Sequence, residues 1–328
     1  MDLTTNYMGL TLKNPIIIGS SGLTNSVEKI KKLENNGAGA VVLKSLFEEQ
    51  LLVDRDRLIE QDKQYFWYPE AVDYINNYAK EFGIKEYSDL IKNAKKDIDI
   101  PIIASINCIS AGEWILFANR IEDAGADALE LNVSLLPSDE TRSSEENEKI
   151  YFDIIKKVKA KVSIPVSLKM SFYSSGLARL IQKLSWTKNV DSFVLFNRYY
   201  SPDIDINNFK IISSNVFSQP QEITTSLRWI ALLSEKVKCD LIASTGIHSG
   251  EGVVKQILAG ATAVQIVSAI YKKSPEYITT ILNELKDWMK NKGFNSLDEF
   301  RGKMSNKKVE NPAAFERVQF MKYFGGIV

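Results

Sequence analysis

Three times in this chain a helix-like stretch stops at a glycine set among small residues and passes at once into a short apolar run. Asn36-Gly-Ala-Gly-Ala40 precedes Val41-Val-Leu-Lys44, Ala124-Gly-Ala-Asp-Ala128 precedes Leu129-Glu-Leu-Asn132, and Ala259-Gly-Ala-Thr-Ala263 precedes Val264-Gln-Ile-Val267. Glycine supplies the left-handed cap that ends a helix, and the alanines let helix and strand pack closely. The runs that follow are of strand length and too short for helices. Two more strands are announced by Ile100-Pro101 and Ile164-Pro165, where proline stands at a strand's first position and costs no ladder hydrogen bond.

Extending this rhythm gives eight strand candidates: Ile16–Gly19, Ala40–Lys44, Ile102–Asn107, Ala128–Asn132, Val166–Met170, Ser192–Asn197, Leu241–Ser244 and Ala263–Val267. Helical patterns separate them, over Ser26–Asn35, Glu113–Asp123, Tyr151–Ala160, Leu227–Val237 and Pro275–Lys290. Strands alternating with helices predict an α/β fold, a (β/α)₈ TIM barrel, with a doubly wound open sheet as the structural alternative. Thr5–Pro15 reads as an N-terminal β-hairpin. Two excursions interrupt the rhythm, from Ser45 to Asp99 and from Arg198 to Ile223. The first holds the aromatic cluster Tyr65-Phe-Trp-Tyr68 before a helix from Glu70, and the second hints at an extra strand pair around Asp203–Ile206 and Lys210–Ile212. Both follow strand ends, the active-site face of a barrel, where long loops serve as lids or binding walls. No linker divides the chain, so one domain spanning 1–328 is expected.

Charge narrows the partners. Forty-one basic residues balance 41 acidic ones, which argues against whole-protein attraction to nucleic acid or to an anionic membrane. No run reaches membrane-spanning length, and no basic region followed by an apolar core opens the chain. Cys108 and Cys239 lie far apart without metal-type spacing, so a reduced cytoplasmic protein is the expectation and no metal is called for.

In a barrel the strand ends converge on one mouth. Here they bring Ser20, Lys44, Ser45, Asn107, Asn132, Ser134, Lys169, Asn197, Thr245, Gly246, Ser268 and Ala269. This mouth is polar, net positive and poor in acids. Asparagines offer donor and acceptor together, which suits a planar heterocycle with alternating N–H and C=O groups. A lysine beside such a ring stabilises negative charge that develops on reduction. Asp240–Ile270 forms a strand–helix–strand unit with small residues at both strand ends, where backbone amides can approach an anion. Together these point to a flavin mononucleotide (FMN) site. A Schiff-base aldolase using Lys169 or Lys44, and a non-catalytic FMN-binding protein, stay open as alternatives. His248, the single histidine, reads as a surface residue or phosphate neighbour, and Cys108 as a packing residue.

At these residues the sequence resembles the FMN-dependent dihydroorotate dehydrogenases, nearest their soluble class 1 members. The resemblance runs from Leu12-Lys-Asn-Pro15 and Ile18-Gly-Ser-Ser-Gly22 to Leu297-Asp-Glu-Phe-Arg-Gly-Lys303. Its most specific matches are Lys44-Ser45, Leu131-Asn-Val-Ser134, Lys169 and Ala259-Gly-Ala-Thr-Ala-Val-Gln-Ile266 with Ser268-Ala269. The resemblance implies a (β/α)₈ barrel, a small-molecule substrate and a homodimer. It implies that Ser20, Lys44, Ser45, Asn107, Asn132 and Lys169 contact FMN, and that backbone amides around Thr245-Gly246 and Ser268-Ala269 hold its phosphate. Lys44 and Lys169 would serve the catalytic step, while Lys44, Asn132 and Asn197 would hold substrate. The family has two glycines where this chain has Thr245-Gly246, a change that a backbone cradle is expected to tolerate. After the fourth strand the family places a catalytic base where this chain has Leu135, within Asn132-Val-Ser-Leu-Leu-Pro137. Trp67-Tyr-Pro-Glu70 stands roughly where the family's substrate loop is expected, and Arg198-Tyr-Tyr200 replaces small residues after Asn197. The expected activity is therefore CH–CH oxidation of dihydroorotate dehydrogenase type on an uncertain substrate.

Overall fold

The computed structural model describes all residues except 52, 54–68, 109, 110, 200 and 317–328. The chain opens on an antiparallel hairpin, β1 (Thr5–Tyr7) with β2 (Leu10–Leu12), as expected. It then lays down β3 (Ile16–Ile18), β4 (Ala40–Val42), the two-residue β5 (Leu46–Phe47), β6 (Ile102–Asn107), β7 (Ala128–Asn132), β8 (Val166–Met170) and β9 (Ser192–Leu195). A second hairpin, β10 (Ser201–Asp205) with β11 (Lys210–Ser214), comes before β12 (Asp240–Ser244) and β13 (Ala263–Ile266). Eight of these strands, β3, β4, β6, β7, β8, β9, β12 and β13, pair in parallel in that order, and β13 returns to β3. The sheet closes. It is a (β/α)₈ barrel, and the open-sheet alternative falls.

The helices cover the outside: α1 (Val27–Asn35), α2 (Pro69–Asp97), α3 (Ala111–Asp123), α4 (Ser144–Lys159), α5 (Leu177–Trp186), α6 (Ile223–Leu233), α7 (Gly250–Ala259), the short α8 (Ser268–Lys272), α9 (Tyr277–Lys292) and α10 (Ala313–Glu316). The glycines that open the repeat, Gly37, Gly125 and Gly260, have φ of 102°, 92° and 116°, the left-handed cap read from the sequence. Boundaries differ from expectation where caps override periodicity. α4 starts seven residues before the expected Tyr151, because Ser143 and Glu146 form a capping box ahead of the apolar pattern. α6 ends at Leu233, and Val237 lies beyond it. α5 goes beyond the expected set; it opens at Gly176 without a side-chain cap, so the usual start signal is missing. The aromatic cluster Tyr65–Tyr68 and Tyr200 lie outside the described residues.

Alternation along each strand sorts the interior into layers. Ile17, Ala40, Val42, Ile103, Ala128, Val194, Ile242 and Ala263 form an apolar floor, and Tyr7, Met8 and Leu12 of the first hairpin plug it from below. Two residues further along the inward parity stand Ser105, Glu130, Lys169 and Gln265, all buried. By the same count Lys44, two residues past Val42, stands level with Ser105, and Asn107 and Asn132 come above. Polarity therefore rises from floor to mouth.

The floor is also tied together. The Met8 amide donates to Asp240 at 2.7 Å, and Thr5 Oγ1 donates to the Thr262 carbonyl at 3.1 Å. Arg301 bridges both, donating to the carbonyls of Ala261 and Thr262 and to Thr5 Oγ1. Around the same face, Glu34 accepts from the amides of Asp99 and Ile100, and Glu122 from those of Ser163 and Ile164.

Candidate active site

Six of the residues read from strand ends line one cavity of about 270 Å³: Ser20, Lys169, Asn197, Thr245, Gly246 and Ser268. Others join it through hydrogen bonds. Ser45 donates its amide to Ser20 Oγ at 2.9 Å, and its own hydroxyl lies 2.7 Å from Ser105 Oγ. Behind Ser105, the Tyr87 hydroxyl accepts from the Ser105 amide at 2.9 Å and donates to its carbonyl at 3.1 Å. Tyr87 comes from α2, so the described part of the first excursion braces the serine wall from outside. Asn132 Oδ1 accepts from Asn197 Nδ2 at 2.9 Å, and Ser134 Oγ accepts from the same nitrogen at 3.2 Å. Ala269 is buried beside Ser268. Lys44 is exposed and Asn107 half-buried, and neither lines this cavity.

Lys169 is not a free cation. Its Nζ donates to Gln265 Oε1 at 3.0 Å and lies 3.5 Å from Glu130 Oε1, while Gln265 Nε2 donates to Glu130 Oε2. Glu130 is completely buried, and Lys169 retains only 9% of its surface. Glu130 and Gln265 were not read as site residues. Their signal was parity: Glu130 lies two residues before Asn132, a polar side chain in a strand otherwise of core residues, and therefore faces the same interior.

The small-residue turns behave as a cradle. A Cβ on Gly246 would sit 2.1 Å from the Ile223 amide nitrogen, so only glycine fits there. The backbone amides of Gly246, Ser268 and Ala269 donate to no protein acceptor among the described residues. Ser268 Oγ accepts from the Ser218 amide at 3.0 Å, bringing the segment before α6 over the cradle. Lys272 donates to the Ser218 carbonyl at 2.9 Å, and His248 Nε2 lies 3.1 Å from Ser218 Oγ. Burial, with Lys272 nearby, pushes the His248 pKa below its usual value. Ser218 and Lys272 carry no signal in their local sequence, since their place depends on how the second excursion folds back.

Comparison with known proteins decides the lineage. The family described as dihydroorotate dehydrogenase matches residues 2–289. This chain belongs to the dihydroorotate dehydrogenase family. It is similar to proteins named dihydroorotate dehydrogenase B (NAD(+)), catalytic subunit, from Thermoplasma acidophilum and Pyrococcus furiosus. The first is 26% identical over 311 residues and the second 28% over 309, each match covering 92% of this chain and 98% of the relative. A putative dihydroorotate dehydrogenase A (fumarate) from Aeropyrum pernix is 26% identical over 308 residues, 92% of this chain and 97% of that protein.

Against the dihydroorotate dehydrogenase pattern, three positions now have a structural account. Leu135 packs against the core, with its carbonyl accepting from Ser171 Oγ at 3.0 Å. It has no atom able to take a proton. Thr245 has φ of 77°, a left-handed conformation that is a true outlier for a β-branched residue. The expected tolerance therefore carries a backbone cost, and the Thr245 hydroxyl offsets part of it by donating to the Phe196 carbonyl at 3.3 Å. Arg198, in place of a small residue, is held by Glu222, with Nε to Oε2 at 2.9 Å, and by the Val216 carbonyl at 3.1 Å. Beside it, Phe172, Tyr173, Phe196 and Tyr199 line a second cavity of about 210 Å³ that shares Asn197 and Thr245 with the first. Among the described residues no group of three or more His, Cys, Asp or Glu could hold a metal ion, and no helix is long and apolar enough to cross a membrane.

Proposed function

We propose that the chain is an FMN-dependent oxidoreductase of dihydroorotate dehydrogenase type, folded as a single domain over 1–328 and working in the cytoplasm. The observation that carries this reading is the convergence, in one cavity, of Lys169, Asn197, Ser20 and the cradle of Thr245, Gly246 and Ser268. The donor set fits FMN: unspent amides suit a phosphate, and a buried ammonium with amide side chains suits the pyrimidine edge of a flavin. Ser20, Lys44, Ser45, Asn107, Asn132 and Lys169 would hold the ring and ribityl, and the amides at Thr245-Gly246 and Ser268-Ala269 the phosphate. When bound, FMN supplies the acceptor for a hydride from a substrate carbon.

The protein's own part is positioning and charge. Lys169 and Lys44 would favour the reduced form by placing positive charge at the ring edge. Asn132 and Asn197, locked to each other, would present one donor–acceptor surface to a small-molecule substrate, with Lys44 beside them. Leu135 supplies no base, so dihydroorotate is handled poorly or is not the substrate. The aldolase reading is disfavoured because the Lys169 amine is tied to Gln265 and Glu130 rather than free to attack a carbonyl, and Lys44, its other candidate lysine, is exposed and does not line the cavity. Purification tests the flavin reading: a yellow protein that releases FMN on denaturation is expected. A colourless preparation that binds no added FMN would overturn it.

The proposed assembly is a homodimer. The outer hairpin presents Ile204, Ile206, Phe209 and Ile211 on one face, since Ile204 pairs directly with Ile211. Phe209 is 89% exposed. A two-stranded hairpin with an open apolar face is marginal in water, and a second copy would cover it. Sedimentation should show two chains for the native protein and one for Ile204→Lys with Ile211→Lys; an unchanged mass would place the contact elsewhere.

A further inference from the structure

The buried carboxylate under the cavity has no role in the reading above. Glu130 stands on β7 with no solvent contact, and its Oε1 accepts no hydrogen bond among the described residues. Among the described residues the nearest cation to that oxygen is Lys169, at 3.5 Å. Gln265 locks the pair, its carbonyl turned to the ammonium and its amide to the carboxylate. Only that orientation of the amide satisfies both neighbours. Lys169 and Gln265 both line the cavity, so what the cavity receives from this layer is the field of the whole triad.

We propose that Glu130 is a positioning residue that sets the reduction potential of the bound flavin, acting through Lys169 and Gln265. The proposal rests on the flavin reading. Charge that develops on the ring during reduction meets the sum of an ammonium and a carboxylate a few ångströms further in. In a dry interior the second charge is not screened away. Glu130 therefore lowers the potential that Lys169 alone would give, and it fixes where the ammonium points. A buried carboxylate is costly, and its charge acts on whatever the cavity holds, so its removal should show in the flavin as well as in stability.

The test compares the native protein with Glu130→Gln, Lys169→Met and the double variant, reading flavin content and midpoint potential by equilibration with redox dyes. Glu130→Gln should retain flavin and shift to a more positive potential, by at least the tenfold change in equilibrium ratio that corresponds to about 30 mV for a two-electron couple. The charge-balanced double variant should lie more positive than Lys169→Met, which reads the same Glu130 effect even where Glu130→Gln alone folds poorly. A merely structural Glu130 would lower flavin content or melting temperature and leave the potential where it was. Unchanged or more negative potentials on removing Glu130, in protein that still holds flavin, overturn the proposal and leave the FMN reading standing. A native protein that binds no flavin overturns both.

Discussion

Thr245 shows how one residue carries a local conflict for the sake of a turn. Its φ of 77° costs a β-branched residue about 1–3 kcal/mol, and glycine would adopt it freely. Against that, glycine loses more entropy on folding, about 0.5–1 kcal/mol, and the bond to Phe196 would go. Thr245→Gly should therefore be neutral or stabilising, whereas Thr245→Val keeps the strain, loses the hydroxyl and should cost about 1 kcal/mol. Denaturant midpoints check the ordering, and a glycine variant less stable than the valine variant would contradict it. Leu135 is the second telling residue. Dihydroorotate oxidation with artificial acceptors should be slow in the native protein and faster in Leu135→Cys, by up to about 10²–10⁴-fold, the usual worth of a positioned base. Equal rates would mean that the base comes from elsewhere. Both residues were visible in the sequence as departures; the strain at Thr245 and the pairing of Arg198 with Glu222 were not, because each depends on a partner distant in the chain.

At the scale of elements, the repeated glycine caps make a graded prediction. A Cβ on Gly125 meets nothing within 4 Å, so Gly125→Ala pays only for its left-handed φ of 92°, about 1–2 kcal/mol. At Gly260 the same atom would lie 2.4 Å from Ser234 Cβ, and overpacking adds about 1–3 kcal/mol to the conformational cost. Gly260→Ala should thus unfold at clearly lower denaturant than Gly125→Ala; similar midpoints would mean that α6 yields at Ser234. Every one of the eight barrel strands was legible, because strand length and apolar character coincide there, in most cases beside a glycine or proline boundary. Helix ends were less legible. The pattern of α6 runs past its true end, and α5 begins without a cap, so periodicity alone misplaces one and conceals the other. The two outer strands β10 and β11 were read from residues now seen to be largely exposed, a case where strand character survives without burial.

For the molecule as a whole, acid should loosen the floor. Hydrogen bonds from Ser163 hold the Glu122 carboxyl below its usual range, and Glu34 is lowered as well, because bonds from Lys31, Asp99 and Ile100 outweigh its burial. A carboxylate whose folded pKa is depressed stabilises the fold above its unfolded value, near 4.3, and that contribution disappears as pH falls through the folded value. Melting temperature should drop between about pH 5 and pH 3, and Glu122→Gln should flatten part of that slope; an identical slope in the variant would remove Glu122 from the account. The mouth was legible in outline, since strand-end polarity announces it, whereas the triad beneath it required the barrel's parity to be known. The closure of the ring has one further consequence, in time rather than space. The pair that completes it joins residues 16–18 to 264–266, and Arg301 then seals Thr5 to the carbonyls of Ala261 and Thr262. During synthesis β3 is made before every other barrel strand, yet one of its edges waits for its partner until β13, the last of the eight, has followed.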